Sequence, residues 1–400
     1  MKEIQVPVYM YHSIGIPDRE WKWSYLTTPY RQFEEQMKWL KRCGFTAIHF
    51  DQYYDYIFNG KRLPKNPVIL TFDDGYVDNY IFAYPIMKKY GMVGTVYINS
   101  DFIDPRDIKR PIYSGGEEPR SQECRGFLSL PEMQELEASN VLRMESHAQT
   151  HTWYPVSGRI IDFRHPDDRH DWMTWNEHVD KKPFLQVDDE QLVRYGAPVF
   201  ENEKSLMATR FYPDVDLTSQ LEAHVEENGG KAFFLNPDWK ARLEEYTIAL
   251  NGSLEVSGRS ENESENYARI KAELEHSKTT LEKAIGRQVI MLCWPGGSGS
   301  KQGEKALKEL GYKLSTAARD LSYSERKALT NNPSQKSTRV ARISPMTYHD
   351  NIADHGSVII YSSGPIMVLK ALIFKNWLGA RYWGNGILFL LQTFYKLVNR

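Results

Sequence analysis

The sequence predicts an α/β fold on a parallel sheet, open or closed into a barrel, interrupted by one long insertion. Three observations carry this. Short β-favouring runs alternate with helical stretches through roughly the first 150 residues, the signature of repeated β-α units. The alternation stops near Trp153 and resumes near Ser264. Two of the strands end in polar residues of metal-site type: Asp73-Asp74-Gly75 after Val68-Ile-Leu-Thr-Phe72, and His147 with His151 after Val141-Leu-Arg-Met144.

In chain order, Val6 to Tyr11 is read as the first strand. Pro29 to Arg42 is an amphipathic helix, since Phe33, Met37 and Leu40 recur at helical spacing. Phe45 to Ile48 is a strand entered through the Cys43-Gly44 turn, and Val68 to Phe72 is a buried one. A helix over Tyr80 to Tyr90 stops at Gly91, where a left-handed residue is expected, and a strand follows at Gly94 to Ile98. Leu130 to Ser139 is helical and Val141 to Met144 extended. From Trp153 to Gly252 charges and tryptophans (Trp172, Trp175, Trp239) dominate with few regular strands, except that Leu217 to Asn228 suits a helix closed by Gly229-Gly230. Asn251 to Asn266 is polar and rich in Gly, Ser and Glu, as an exposed linker would be. Tyr267, Ile270, Leu274, Leu281 and Ile285 then share one face of a helix over Ser264 to Ile285, ended by Gly286. Val289 to Leu292, Tyr312 to Thr316 and Arg339 to Ile343 complete the strands, with a helix at Lys301 to Leu310.

Four hundred residues support a large core, and the formal charge of -2 gives no electrostatic case for nucleic acid. Ten Trp and twenty-four Tyr suit an ordinary core and also sugar stacking. Cys43, Cys124 and Cys293 do not make a disulfide framework. The opening Met1-Lys-Glu-Ile-Gln-Val-Pro lacks an apolar run before a cleavage site, so a cytoplasmic location is expected.

The chemistry lies in the two strand-end motifs. Adjacent acids at a buried strand end cost free energy unless a cation or proton offsets them. One carboxylate with two imidazoles makes a three-ligand set that leaves positions open for water and substrate. The second carboxylate is then available as a base, because a ligand cannot also take the water's proton. A leaving amine needs a proton donor, and His12 in Met10-Tyr-His-Ser13 sits at a strand C-terminus, the face where β/α barrels collect their sites. Cys293-Trp294-Pro295-Gly296-Gly297 is a turn whose glycines would let backbone N–H groups approach a ligand. Cys293 itself lacks any neighbour that would activate a thiolate.

Thr71-Phe-Asp-Asp-Gly-Tyr76 and Ser146-His-Ala-Gln-Thr-His151 resemble the first two motifs of the NodB-type polysaccharide deacetylases, carbohydrate esterase family 4. The resemblance implies a distorted (β/α) barrel, here with a large insertion, and one divalent metal ion: zinc, with cobalt, nickel or iron as alternatives. It implies removal of an N-acyl group, N-acetyl above all, from a sugar in a polysaccharide, oligosaccharide or lipid-linked glycan. Asp73 would be the base and Asp74, His147 and His151 the ligands, with Tyr76, Trp294, Pro295 and Gly296 against the substrate. The opening Tyr11-His12-Ser13 resembles the deacetylases of biofilm poly-N-acetylglucosamine, where the acid histidine comes from the first strand. His349 and His355 are the next candidates for that role. Three departures stand out. Ala148 replaces the usual Ser or Thr, the 293–297 segment lacks the Arg that orients the base, and no late strand ends in Leu-His. Two other readings keep the residues but change the role: an amidohydrolase of non-carbohydrate C–N bonds, or a carbohydrate-binding barrel without turnover.

The expected organisation is residues 1–152 for the first part of the barrel, 153–263 for an insertion or lid, 264–350 for the rest of the barrel, and 351–400 for a basic, apolar helical tail. From Gly356 to Arg400 there is no Asp or Glu, while Lys370, Lys375, Arg381, Lys396 and Arg400 are basic. Helices of that kind suit an anionic membrane surface at the inner face, or packing on the barrel or a second subunit. Oligomeric state is not legible.

Overall fold

The computed structural model describes residues 3–18, 20–21, 25–184, 190–345, 347–348, 359–361 and 363–398. His349 and His355 lie outside them. Seven parallel strands run β1 (Val8–Tyr11), β2 (Pro67–Phe72), β3 (Gly94–Ile98), β4 (Leu142–Ser146), β5 (Met291–Leu292), β6 (Leu314–Thr316) and β7 (Arg339–Val340), paired in that order. Just past β7, Ile343 bonds back to β1, its N–H donating to the Val8 carbonyl and its carbonyl accepting from Met10. The sheet therefore closes into a barrel, as the resemblance implies. The short strand Thr46–Ala47 pairs with the start of β2.

Period-two alternation assigns each strand residue to the lumen or the helices. Val8, Ile69, Tyr97, Met291, Leu314 and Val340 form one core cluster inside the barrel. Tyr9, Leu70, Phe72, Val96, Met144 and Leu292 face outward into a second, under the helices. Stepping by two along the inward rows leads from Val8 to His12, from Ile69 to Asp73, from Met291 to Cys293 and from Val340 to Arg342. The lumen rows thus deliver polar groups to the C-terminal mouth.

Helix ends follow their caps. Asn262 and Glu265 form a reciprocal capping box on the helix Glu263–Ile285, and Gly286, at φ 72°, ends it. The helix expected from Tyr80 instead opens with a π-helical turn, Asn79–Ala83, before Tyr84–Tyr90. Asn79 there donates through Nδ2 to the His12 carbonyl at 3.0 Å, so the wide turn serves a contact at the mouth.

The insertion departs from the sequence reading. Trp153–Phe163 is an eleven-residue strand, antiparallel to Pro198–Lys204, where few regular strands were expected. The strand contains Pro155 and Gly158, and the pairing is irregular between Pro155 and Ile160, which is where such residues are tolerated. Gly158 is required there, because a Cβ would lie 1.9 Å from the Val256 carbonyl oxygen. The supposed linker also contains ordered pairing, since Gly258–Ser260 pairs with Phe211–Pro213. A helix at Trp239–Asn251 was not expected either.

The tail forms two helices, Gly364–Phe374 and Ala380–Val398. The first packs on the barrel helix Tyr30–Arg42, with Gly364 against Trp39 and the Met367 carbonyl accepting from the Tyr9 hydroxyl. Among the described residues no helix is long and apolar enough to cross a membrane.

Asp78 yields a pH test of the mouth. It is buried, accepts a short hydrogen bond from Ser13, and has a second oxygen, Oδ1, with no partner. Burial pushes its carboxyl up to about 7. An unfolded Asp ionises near 4, so between about pH 4 and 7 the unfolded state releases its proton first and stability falls as pH rises. Asp78→Asn is expected to match the parent in thermal melts near pH 4 and to exceed it at pH 8, by up to about 4 kcal/mol. An identical pH dependence of Tm in both proteins would count against the buried neutral acid.

Candidate active site

Asp73 and Asp74 leave the end of β2 in different directions because Asp74 and Gly75 both adopt positive φ, 72° and 75°. Asp tolerates that conformation better than most residues. Each carboxylate then meets its own partners. Arg342 grips Asp73 through both guanidinium branches, at 2.5 and 2.9 Å. Asp74 Oδ1 lies 3.2 Å from His147 Nε2 and 3.6 Å from His151 Nε2.

The histidine loop is bent in the same way, with Ala148 at φ 59° and His151 at φ 44°. Ala148 is fully buried, and its N–H donates to the Ser146 hydroxyl at 3.1 Å. A larger polar residue at 148 would have to fit into that core. Asn99, just beyond β3, donates through Nδ2 to the His147 carbonyl at 2.5 Å. His147 Nδ1 lies 2.8 Å from the Cys293 carbonyl oxygen, which can only accept. Nδ1 therefore carries a proton. Burial opposes a charge on the ring, but Cys293 and Asp74 outweigh it and hold His147 well above the usual imidazole range, so Nε2 also donates to Asp74 here and would release that proton to hold a cation. Burial pushes His151 down to about 4, against the pull of Asp74, so its ring is neutral at pH 7.

Burial opposes ionisation of both acids, yet both are held below the usual carboxylate range. For Asp74 the His147 hydrogen bond and the His151 ring outweigh burial; for Asp73 the Arg342 charge does. Two groups of residues could hold a cation by proximity: Asp74, His147 and His151, or Asp73, His147 and Cys293, each with donor atoms within 4.8 Å of one another. Arg342 already occupies both oxygens of Asp73, which leaves the first group as the one with free donors.

His12 lies across the mouth, with Nε2 3.9 Å from Asp73 Oδ2 and its ring partly exposed. Tyr76 lines the cleft, stacked on Phe127 and edge-on to Trp21. Trp294 reaches the cleft but is only 1% exposed, held in the core against Gly303, so it offers an edge rather than a stacking face. Pro295 is buried. The turn does not aim all its N–H groups outward, because those of Gly297 and Ser298 bond the Trp294 and Pro295 carbonyls. The Gly296 carbonyl accepts from Lys204 at 2.6 Å. The cleft around these residues encloses about 830 Å³.

Sequence reasoning missed Arg342, Asn99, and the cleft-lining Trp153 and Trp175 of the insertion. Arg342 was findable. It lies two residues beyond Val340 on the last strand and so shares that strand's inward row.

The polysaccharide deacetylase family model matches residues 60–179 and 255–315, which include Asp73, Asp74, His147 and His151. The matched segments thus include both of the motifs that carry the resemblance. Over 97 residues it is 37% identical to YxkH of Bacillus subtilis (strain 168), whose name places it among polysaccharide deacetylases; the alignment covers 24% of this chain and 33% of that one. Over 95 residues it is 34% identical to a poly-β-1,6-N-acetyl-D-glucosamine N-deacetylase of Staphylococcus aureus (strain MSSA476), covering 21% and 32%. The chain spans about a third of the length of these relatives. A solved de-N-acetylase from Aggregatibacter actinomycetemcomitans is 17% identical with a TM-score of 0.48, covering 78% of this chain and 87% of that one.

Asp73 is buried and Arg342 only 13% exposed, so removing one partner should leave a largely uncompensated charge. Arg342→Met is expected to cost about 3–5 kcal/mol in denaturant unfolding, and adding Asp73→Asn should recover most of it. Additive losses in the double variant would show that the two side chains are not coupled.

Proposed function

We propose that the chain is a metal-dependent de-N-acylase that removes an N-acetyl group from a sugar. The observation that supports this most directly is the convergence of Asp74, His147 and His151 beside a separately held acid, Asp73. The donor set fits a divalent ion: one carboxylate held ionised, one imidazole whose Nδ1–H is engaged so that Nε2 faces the site, and one kept neutral by burial. Two nitrogens and an oxygen with open positions suit zinc, with cobalt, nickel or iron as alternatives. Such an ion would polarise the acyl carbonyl and acidify water.

The chain's own residues supply the rest. Asp73 takes the proton of the attacking water, and Arg342 keeps its carboxylate ionised and aimed. His12, across the mouth, returns a proton to the departing amine nitrogen as the C–N bond breaks, so water and amide become acetate and amine. The π-turn residue Asn79 fixes the His12 backbone by its hydrogen bond. Tyr76, Trp153 and Trp175 line the side of the cleft where a sugar ring would rest.

Acetate release from N-acetylated sugars, read together with metal content, tests these roles. His151→Ala is expected to lose both metal and turnover, since a three-ligand set has no spare. Asp73→Asn and His12→Ala are expected to keep the metal and lose turnover by a factor of about 10² to 10⁴. Full metal and normal turnover in His151→Ala would remove the assignment.

We also propose that the second tail helix lies on an anionic membrane surface. Trp377, Leu378, Tyr382, Trp383, Phe389 and Leu390 are exposed, and the sequence from Gly356 onward has basic residues without any acid. Two copies of such a face would bring like charges together, whereas anionic lipid offsets them. The first tail helix packs on the barrel, so truncation would disturb the fold, and substitutions in the second are the cleaner probe. Flotation with phosphatidylglycerol-containing liposomes is expected for the parent and to be lost in Tyr382→Ser/Phe389→Ser/Leu390→Ser. No flotation of the parent, with dimerisation in its place, would reassign the face to a second copy.

A further inference from the structure

The cleft has two unlike sides. Tyr25, Tyr76, Phe102, Phe127, Trp153 and Trp175 make one of them aromatic. On the other, Arg326 and Lys327 line the cleft beside Tyr323, reached from the segment that follows β6. Lys204 and Arg319 lie behind the Gly296–Gly297 turn that borders this side: Lys204 Nζ donates to the Gly296 carbonyl, the backbone N–H of Arg319 donates to that of Gly297, and the Arg319 side chain packs against Gly297. Among the described residues no carboxylate forms an ion pair with Lys204, Arg319, Arg326 or Lys327, whereas the other cation of the cleft, Arg342, is paired with Asp73.

Structural duties do not account for the charges. Arg326 donates to the Ala318 and Leu321 carbonyls, a task that a neutral donor could perform. Lys327 lies over the Tyr323 ring. Burial, with the Arg319 charge beside it, pushes the Lys204 ammonium down to about 8, so the arc already repels itself. The acids that line the cleft are Asp73 and Asp74, against Arg326, Lys327 and Arg342. Three cations face two carboxylates even before a divalent ion binds, in a chain whose formal charge is -2.

Building on the de-N-acylase reading, we propose that this cleft accepts a glycan bearing a negative charge, a carboxylate or phosphate, at the arc of Lys204, Arg319, Arg326 and Lys327. The chemistry agrees with that choice. Each turnover creates an amine that is protonated at neutral pH, and a cationic rim repels a polymer that accumulates such groups. A glycan with an anionic group beside each N-acetyl sugar offsets the rim and is drawn into the cleft.

The test compares substrates that differ only in charge, with the metal-loaded full chain. The neutral one is an oligosaccharide of N-acetylglucosamine; the second alternates N-acetylglucosamine with glucuronate; the third is N-acetylglucosamine 1-phosphate against its free sugar. The charged member of a pair is expected to have a kcat/KM about tenfold or more higher, with the advantage shrinking as NaCl rises. The uronate and phosphate arms identify which anion fits. Arg326→Gln/Lys327→Gln should lower the charged-to-neutral ratio to near one, while Lys89→Gln, a charge change far from the cleft, should not. Calorimetric binding of the glucuronate oligosaccharide gives a readout that does not need turnover. Selective anion binding without acetate release would keep this inference and sink the de-N-acylase reading. Turnover of the neutral sugar with no charge preference, or a preference that survives the double substitution, would overturn the inference and keep that reading.

Discussion

Two carboxylates on consecutive residues at the end of a buried strand repel each other, and the rest of the site follows from how that repulsion is resolved. The positive φ of Asp74 turns its side chain away from Asp73. Asp73 then meets Arg342 from the last strand, and Asp74 meets two imidazoles from the loop after β4. Had both acids faced one way, a single counter-charge would have served both, and one of them would have been neutralised by a proton. Separation keeps both ionised and gives them different surroundings: one fully satisfied by a guanidinium, the other left with donors that only a cation completes.

Closure of the barrel is what makes this possible. Arg342 and Asp73 are far apart in sequence, and they meet because the segment after β7 bonds to β1, which pairs with β2. The inward rows of β1, β2 and β7 then converge on His12, Asp73 and Arg342. Stability and site geometry are coupled at this seam, since the strand pairing that seals the core also brings Asp73 to the guanidinium that holds it.

How much could be read in advance follows the same division. Asp73, Asp74, His147 and His151 were legible because each pair sits in a local run, a strand that ends in acids or histidines spaced by four. The inward row of Arg342, two residues beyond Val340, was within reach of the sequence, but its pairing with Asp73 was not, because that depends on strand order around the barrel, and local pattern carries no order. The hairpin of the insertion was hidden because its pairing is irregular between Pro155 and Ile160 and charged residues interrupt its strands, so no clean period-two pattern marks it. Trp294 shows the opposite error. A tryptophan beside a glycine turn suggests a sugar platform, yet Gly303 lets its ring sink into the core, and the aromatic surface comes from Trp153 and Trp175 instead.

The insertion does more than roof the cleft, because it holds the second histidine in place. His151 has a left-handed backbone, which for a non-glycine residue must be held by its surroundings. The bracing is visible on both sides. Thr150 donates through its hydroxyl to Glu273, at 2.8 Å, on the long helix that follows the insertion, and Ser205 donates to the same oxygen. The Thr150 carbonyl accepts from Lys182, which is buried and paired at 2.9 Å with Asp101 just beyond β3. Thr152 donates to Asn176 at 2.6 Å. Lys182, Asn176 and Ser205 all belong to the inserted segment, so the loop that carries His151 is fastened to the insertion and to the barrel at once. An inserted segment that merely covered the cleft could be displaced without touching the ligand set. This one cannot be, because the contacts that seat it beside the cleft also fasten the loop that carries His151.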